Sequence, residues 1–294
     1  MSEHRSGFVA LAGRPNVGKS TLVNHLVGAH IVAVSDRPQT TRRRALGVVS
    51  GDGYQLILAD LPGFQKPFDR LTERMQRAVD ETLADADAVV LMLNARESIG
   101  RGDRHIAARV LRAGGPPCVI VLNKNDGMRA GAIAPAIAAA AELGEFHALH
   151  PISALTGDGV DALLVDLISL LPEGPVLFPV EMTSDQNDSD RAAEIVREAA
   201  LRLTREEVPH AVAVEVLEFE HLRHHTRIVA RLICETESQK RILVGKGGSM
   251  VKQIGTDARR HLEELTGGQV MLDLTVRVRP HWRRDSSELD RLGV

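Results

Sequence analysis

A chain of 294 residues, 44% hydrophobic and 26% charged with a formal net charge of −3, is long enough for two domains that each bury a core, and its composition excludes wholesale disorder. The mild acidity does not argue against nucleic acid, which is held by local clusters of Lys and Arg rather than by the total. The two cysteines, Cys118 and Cys234, lie far apart without metal-like spacing, so neither a disulfide framework nor a zinc site is expected and a reducing compartment fits.

The polar start Met1–Arg5 and the short apolar stretch Phe8–Ala12 do not read as an export signal. Up to about Leu171, short apolar runs alternate with amphipathic ones: Gly7–Leu11, Thr21–Leu26, Leu56–Leu61, Leu71–Leu83, Ala88–Leu93, Asp103–Ala113, Cys118–Leu122, Ile133–Leu143 and Val160–Leu171. The alternation predicts βαβ units and an α/β fold with a mostly parallel sheet covered on both faces. None of these runs reaches the roughly 18 apolar residues of a membrane span.

Between the first strand and helix stands Gly13-Arg14-Pro15-Asn16-Val17-Gly18-Lys19-Ser20, followed by Thr21, which satisfies G-x-x-x-x-G-K-[ST]. Glycines there let backbone N–H groups cradle phosphates at a helix N-terminus, Lys19 neutralises the outer phosphates, and Ser20 offers a hydroxyl to Mg²⁺. In the polar segment Ser35–Arg44, Thr41 is the expected second hydroxyl, able to cap the metal only when a γ-phosphate is present. The adjacent Arg42-Arg43-Arg44 reads as an exposed basic face that could also touch RNA or phosphate.

Asp60-Leu61-Pro62-Gly63 closes the next apolar strand, with Asp60 placed to hold the metal and the Gly63 N–H to sense a γ-phosphate. Phe64 follows where a water-orienting Gln stands in Ras-like enzymes, so slow unaided turnover is expected, on the order of 10⁻⁴ to 10⁻² s⁻¹. Lys19, Thr41 and Gly63 are the expected catalytic set. Asn123-Lys124-Asn125-Asp126 follows another strand; its Asp126 carboxylate can accept from guanine N1–H and N2–H₂ while the Lys124 stem covers the base. Adenine would leave that carboxylate unpaired, so the pattern points to GTP and not ATP. Ser153-Ala154-Leu155 supplies a backbone N–H for guanine O6.

From Pro172 to Asp190 the periodicity collapses into turn and linker chemistry, which divides the chain into 1–172, a linker 173–190, and 191–294. The second part reads as a helix near Arg191–Glu207, strands near Val212–Glu220 and Thr226–Glu235, helices flanking Gly245–Gly248, a strand near Val270–Val278 and a C-terminal tail. His221, His224 and His225 fall in the turn between two strands and are read as solvated. The loop Gly245-Lys246-Gly247-Gly248, with Ile242, Val244, Lys252 and Ile254 around it, is a G-x-x-G device of the kind KH domains use on single-stranded RNA: glycines admit the sugar-phosphate backbone, Lys meets phosphate, and an apolar groove takes bases.

These motifs, with Gln39-Thr-Thr-Arg42, Ala192-Ala-Glu-Ile-Val-Arg-Glu198 and Thr204-Arg-Glu-Glu-Val-Pro209, resemble bacterial Era-like GTPases, of the TrmE-Era branch of P-loop GTPases, over nearly the full length. The resemblance implies a GTPase domain followed by a smaller α+β type II KH domain. It also implies a GTP/GDP switch in small ribosomal subunit assembly, small-subunit ribosomal RNA held by the KH domain, and a cytoplasmic location with some peripheral membrane contact. Asn16 resembles the asparagine that holds a monovalent cation in K⁺-stimulated relatives, although a loop Asn satisfying its own backbone accounts for it equally well. Leu61 and Leu155 depart from the usual Thr and Lys. A scaffold whose nucleotide site turns over negligibly is the alternative.

Overall fold

The computed structural model describes residues 4–34, 41–64, 66–129, 131–204 and 208–294, the side chains of 209 and 210 excepted. Two compact units emerge. One lies within Met1–Asp185; the other comprises Gln186–Val294 with short segments of the first half, Pro67–Arg74 among them.

The first unit is built on six strands: β1 (Arg5–Gly13), β2 (Ala45–Gly51), β3 (Tyr54–Asp60), β4 (Ala88–Asn94), β5 (Cys118–Asn123) and β6 (Ala148–Pro151), in the order β2-β3-β1-β4-β5-β6. All neighbours run parallel except the edge pair β2 and β3, which is antiparallel. Strand residues alternate between two cores. Val9, Leu11, Leu56, Leu58, Val90 and Met92 pack with α1 (Lys19–Val27) and α5 (Val160–Leu170) on one face. Ala10, Ile57, Val89, Leu91, Ile120 and Leu122 pack on the other with α2 (Arg70–Asp85), α3 (Arg101–Val110) and α4 (Ile133–Ala141). Burial on both faces is why these strands read as unbroken apolar runs. The parallel strands end together, and the segments after β1, β3, β5 and β6 carry the motifs, as expected for the carboxyl edge of an open α/β sheet.

The sequence reading missed β2, whose Gly47 and Gly51 interrupt the apolar pattern. A Cβ at Gly47 would come within 2.8 Å of Val23 on α1, so the strand passes too close for a side chain.

The stretch after α5 is not free linker. Gln55 accepts from the Leu177 and Phe178 N–H groups at 2.8 Å, the Val48 N–H donates to the Thr183 carbonyl at 2.9 Å, and the Leu46 N–H to Asp185 at 2.9 Å. The period vanishes because this segment runs over β2 and β3 by isolated bonds, not as a helix or paired strand.

The second unit has the order α6 (Asp188–Leu203), α7 (Val208–Ala211), β7 (Ala213–His221), β8 (Thr226–Cys234), α8 (Glu237–Val244), α9 (Ser249–Thr266), β9 (Val270–Val278) and α10 (Ser286–Leu292). The expected end of its first helix, Glu207, falls outside the described residues; its start is earlier than expected, with Asn187 capping the Asp190 N–H. β8 sits between antiparallel β7 and parallel β9, and α6 and α9 bury Val196, Ala200, Ile254, Ala258 and Leu262 against it. The tail is ordered: Trp282 is wholly buried and donates from Nε1 to the Ala211 carbonyl at 3.0 Å.

Among the described residues no helix is long and apolar enough to cross a membrane, and no group of three or more His, Cys, Asp or Glu is placed to share a metal ion. Cys118 and Cys234 are both free and buried.

Candidate functional site

The loop Gly13–Gly18 leads from β1 into α1, whose first residue is Lys19. Lys19 is buried and donates from Nζ to the Gly13 and Arg14 carbonyls at 3.3 and 3.2 Å. Burial lowers its pKa, with the charge of Asp60 opposing. Gly18 has φ 103°, and a Cβ there would lie 2.1 Å from Asn123 Nδ2, so only glycine admits this turn. The Arg14 side chain leaves the loop for Glu97 (2.6 Å) and Asp103 (2.7 Å), which raise its pKa; what Arg14 offers the site is backbone.

Ser20, Thr41 and Asp60 converge. Asp60 Oδ2 accepts from Ser20 Oγ at 2.7 Å and from Thr41 Oγ1 at 3.1 Å, and the two hydroxyls are 3.1 Å apart. Two hydroxyls backed by one wholly buried carboxylate form a hard oxygen set of the kind Mg²⁺ takes in phosphate sites. The Gly63 segment is drawn against the phosphate loop by the Phe64 N–H, 3.4 Å from the Gly13 carbonyl. Leu61 is wholly buried in the core, which explains an apolar residue there. Phe64 packs inward with the Arg109 guanidinium 5.4 Å from its ring centre. Thr40 and Gln39 lie outside the described residues. The Arg42–Arg44 run is not one exposed face: Arg42 is buried, Arg43 half-buried and Arg44 exposed.

The loop expected to read the base leaves β5. Asn123, expected to bind nucleotide, has its side chain engaged within the protein. Its Nδ2 donates to the Val17 carbonyl at 2.8 Å, and its Oδ1 accepts from the Ala154 N–H at 2.9 Å. The N–H expected to serve guanine O6 is therefore already engaged, and O6 would have to share it. Asp126 Oδ1 accepts from Ser153 Oγ at 2.9 Å and Oδ2 from Arg96 at 2.7 Å. The Ser153 bond first, and then the Arg96 charge, hold its carboxyl below the usual carboxylate range. Lys124 takes φ 69° and Asn16 φ 64°. Leu155, 75% exposed, packs on little. Sequence reasoning missed Arg96, which belongs to no motif.

In the second unit Gly245, Gly247 and Gly248 have φ of 73°, 61° and 82°, a left-handed run between α8 and α9 that residues with a Cβ resist. Lys246, Lys252 and Ile242 are exposed beside the loop and Val244 is half-buried. Ile254 departs from the expected groove: it is wholly buried in the core under α9. Its position one turn into the helix's inward face settles that, because i, i+4, i+8 from Met250 through Ile254 to Ala258 is the apolar stripe.

Comparison with known proteins covers the whole chain. Residues 8–124 match a family described as 50S ribosome-binding GTPase, and residues 207–283 match the KH domain family. The chain is 41% identical to the GTPase Era of Staphylococcus epidermidis, over 100% of this chain and 98% of that protein. Among solved structures, Era in complex with MgGDPNP and a segment of 16S ribosomal RNA matches with TM-score 0.93 and 36% identity, covering 99% of both chains. A variant of Aquifex aeolicus Era bound to GDP and AlF4⁻ matches with TM-score 0.94 and 37% identity over 98% and 99%.

Proposed function

This chain belongs to the Era family of GTPases, and on that premise we propose that GTP binding and hydrolysis at the Lys19–Ser20–Asp60 site switch its KH unit on small-subunit ribosomal RNA during assembly of that subunit. The observation that carries the reading is the convergence of Ser20, Thr41 and Asp60 within 3.1 Å beside buried Lys19, in one unit with Asp126. RNA-bound Era among its near structural relatives supports the RNA half.

In this reading the Ser20 and Thr41 hydroxyls hold Mg²⁺ with Asp60 behind them, and the ion neutralises charge developing on the β- and γ-phosphate oxygens. Lys19 leaves its two carbonyl partners for the terminal phosphates. Backbone N–H groups of residues 13–21, Pro15 excepted, cradle the phosphate chain, the Gly63 N–H meets the γ-phosphate, and Asp126 selects guanine. Water attacks the γ-phosphorus and the bond to the β–γ bridging oxygen breaks, giving GDP and phosphate. Phe64, buried under Arg109, orients no water, so unaided turnover is slow. Loss of the γ-phosphate removes what Thr41 and Gly63 share, which releases both segments.

Gly245–Gly248 with Ile242, Val244, Lys246 and Lys252 receive the RNA backbone and bases. K⁺ stimulates turnover through a site including Asn16; equal rates in K⁺ and Na⁺ buffers would dispose of this. The protein works in the cytoplasm, with peripheral contact at the inner face of the membrane, which co-flotation with lipid vesicles tests. The proposal as a whole is tested by the RNA that co-purifies with the protein loaded with a non-hydrolysable GTP analogue: small-subunit ribosomal RNA, including its 3′ end, is expected, and its absence would refute the assignment.

A further inference from the structure

Arg96 lies in the turn after β4, facing the loop that leaves β5. Its Nε donates to the Lys124 carbonyl at 2.9 Å, and its Nη2 donates both to the Asp126 carbonyl and to Asp126 Oδ2, the latter at 2.7 Å. One guanidinium thus holds three acceptors of the four-residue loop 123–126. The planar fork of Arg can do this, whereas the point charge of Lys cannot. The turn that carries Arg96 is itself fixed: the Ala95 N–H donates to the Asn123 carbonyl at 2.8 Å, and the Arg96 N–H to Asn94 Oδ1 at 3.1 Å.

The loop needs such a hold. Lys124 has φ 69°, a left-handed conformation that a residue with a Cβ resists, and its carbonyl is one of the two that Arg96 grips. Asp126 is fixed from two sides, by Ser153 on Oδ1 and Arg96 on Oδ2, yet each carboxylate oxygen keeps a lone pair for a further donor. Two of the three Arg96 bonds go to main-chain carbonyls that a base held by the Asp126 side chain does not contest, so guanine can bind without displacing the arginine.

We propose that Arg96 is a positioning residue for base recognition, holding the 123–126 loop and the Asp126 carboxylate in the orientation that guanine meets. The inference rests on the reading of Asp126 as the guanine acceptor. Its value is preorganisation: the ordering of Asp126 is done before the nucleotide arrives.

The test is competition titration of GDP and ADP on the full chain and its Arg96→Ala and Arg96→Lys variants. ADP serves as the probe of phosphate contacts alone, since adenine presents no N1–H to a carboxylate. Arg96→Ala is expected to weaken GDP by roughly three- to tenfold, the range for a half-exposed charged contact that also orders a loop, and to leave ADP unchanged. Arg96→Lys recovers only part of the loss. Parallel weakening of GDP and ADP would mean a general structural role and overturn the proposal. Unchanged or tighter GDP binding by Arg96→Ala, or full recovery by Arg96→Lys, would overturn it too. A parent protein that does not prefer GDP to ADP would instead sink the reading of Asp126 itself, so the two failures are distinguishable.

Discussion

Asn123 donates to the Val17 carbonyl at 2.8 Å, so the segment that follows β5 is tied directly to the phosphate loop. The same side chain accepts from the Ala154 N–H, joining the segment after β6 as well. Asn123→Ala leaves a buried carbonyl and a buried N–H without partners, at about 1–3 kcal/mol each. GDP affinity is expected to fall at least tenfold and the melting temperature to drop. Unchanged GDP titration in this variant would show that the two loops do not depend on the asparagine.

Lys19→Ala removes a buried ammonium beside Asp60. GTP turnover should fall by about 10² or more, the usual effect of deleting a preorganised charge from a site of developing negative charge. RNA binding should persist. Phosphate release and RNA titration on the same preparation check both; turnover near the parent rate would make the nucleotide site structural.

Gly247→Asp should do the reverse. A Cβ at Gly247 meets nothing within 4 Å, so the added side chain acts by its charge and by the positive φ, not by crowding the core. A carboxylate there would repel the phosphate backbone that the loop is proposed to receive. Turnover unchanged with RNA affinity lost at least tenfold is expected, since like-charge juxtaposition at such a loop weakens binding. Full RNA affinity would move the RNA contact elsewhere.

The pH dependence of guanine binding follows from Asp126. Its pKa is depressed, chiefly by the Ser153 hydroxyl and then by Arg96. The ionised acceptor therefore persists as pH falls through the ordinary carboxylate range, and GDP affinity is lost only below it. Ser153→Ala removes the larger cause, so the acid loss of affinity should move to higher pH. An identical profile in parent and variant would contradict the assignment.

The motifs were legible because each is a chemical demand at fixed spacing on a strand end: Gly18 beside Asn123, Ser20 and Thr41 on one Asp60 oxygen, Asp126 one loop away. Unbroken apolar strands likewise gave the mostly parallel sheet, and the α-β-β-α-α-β order gave the KH fold. What stayed hidden depends on pairings between distant residues. β2 was obscured by Gly47, which serves a close pass over α1. The segment through Asp185 binds by isolated hydrogen bonds that leave no period. Arg42 is polar by type and buried by context, and Ile254 looks like groove but faces inward. Arg96 acts through a contact 30 residues away that no motif records.

Asp126→Asn offers an independent check of base selection. An amide can donate where the carboxylate only accepts, so preference should move from guanine towards xanthine nucleotides by about 1–3 kcal/mol. Competition between GDP and XDP reads the shift, and an unaltered order would count against Asp126 as the reader.

The most direct measurement is calorimetric titration of the pure full-length protein, with Mg²⁺ present, by non-hydrolysable GTP and ATP analogues. The guanosine nucleotide should bind and the adenosine nucleotide should bind at least tenfold more weakly, at about 1.4 kcal/mol per tenfold. Equal affinity, a preference for adenosine, or binding of neither would contradict the account.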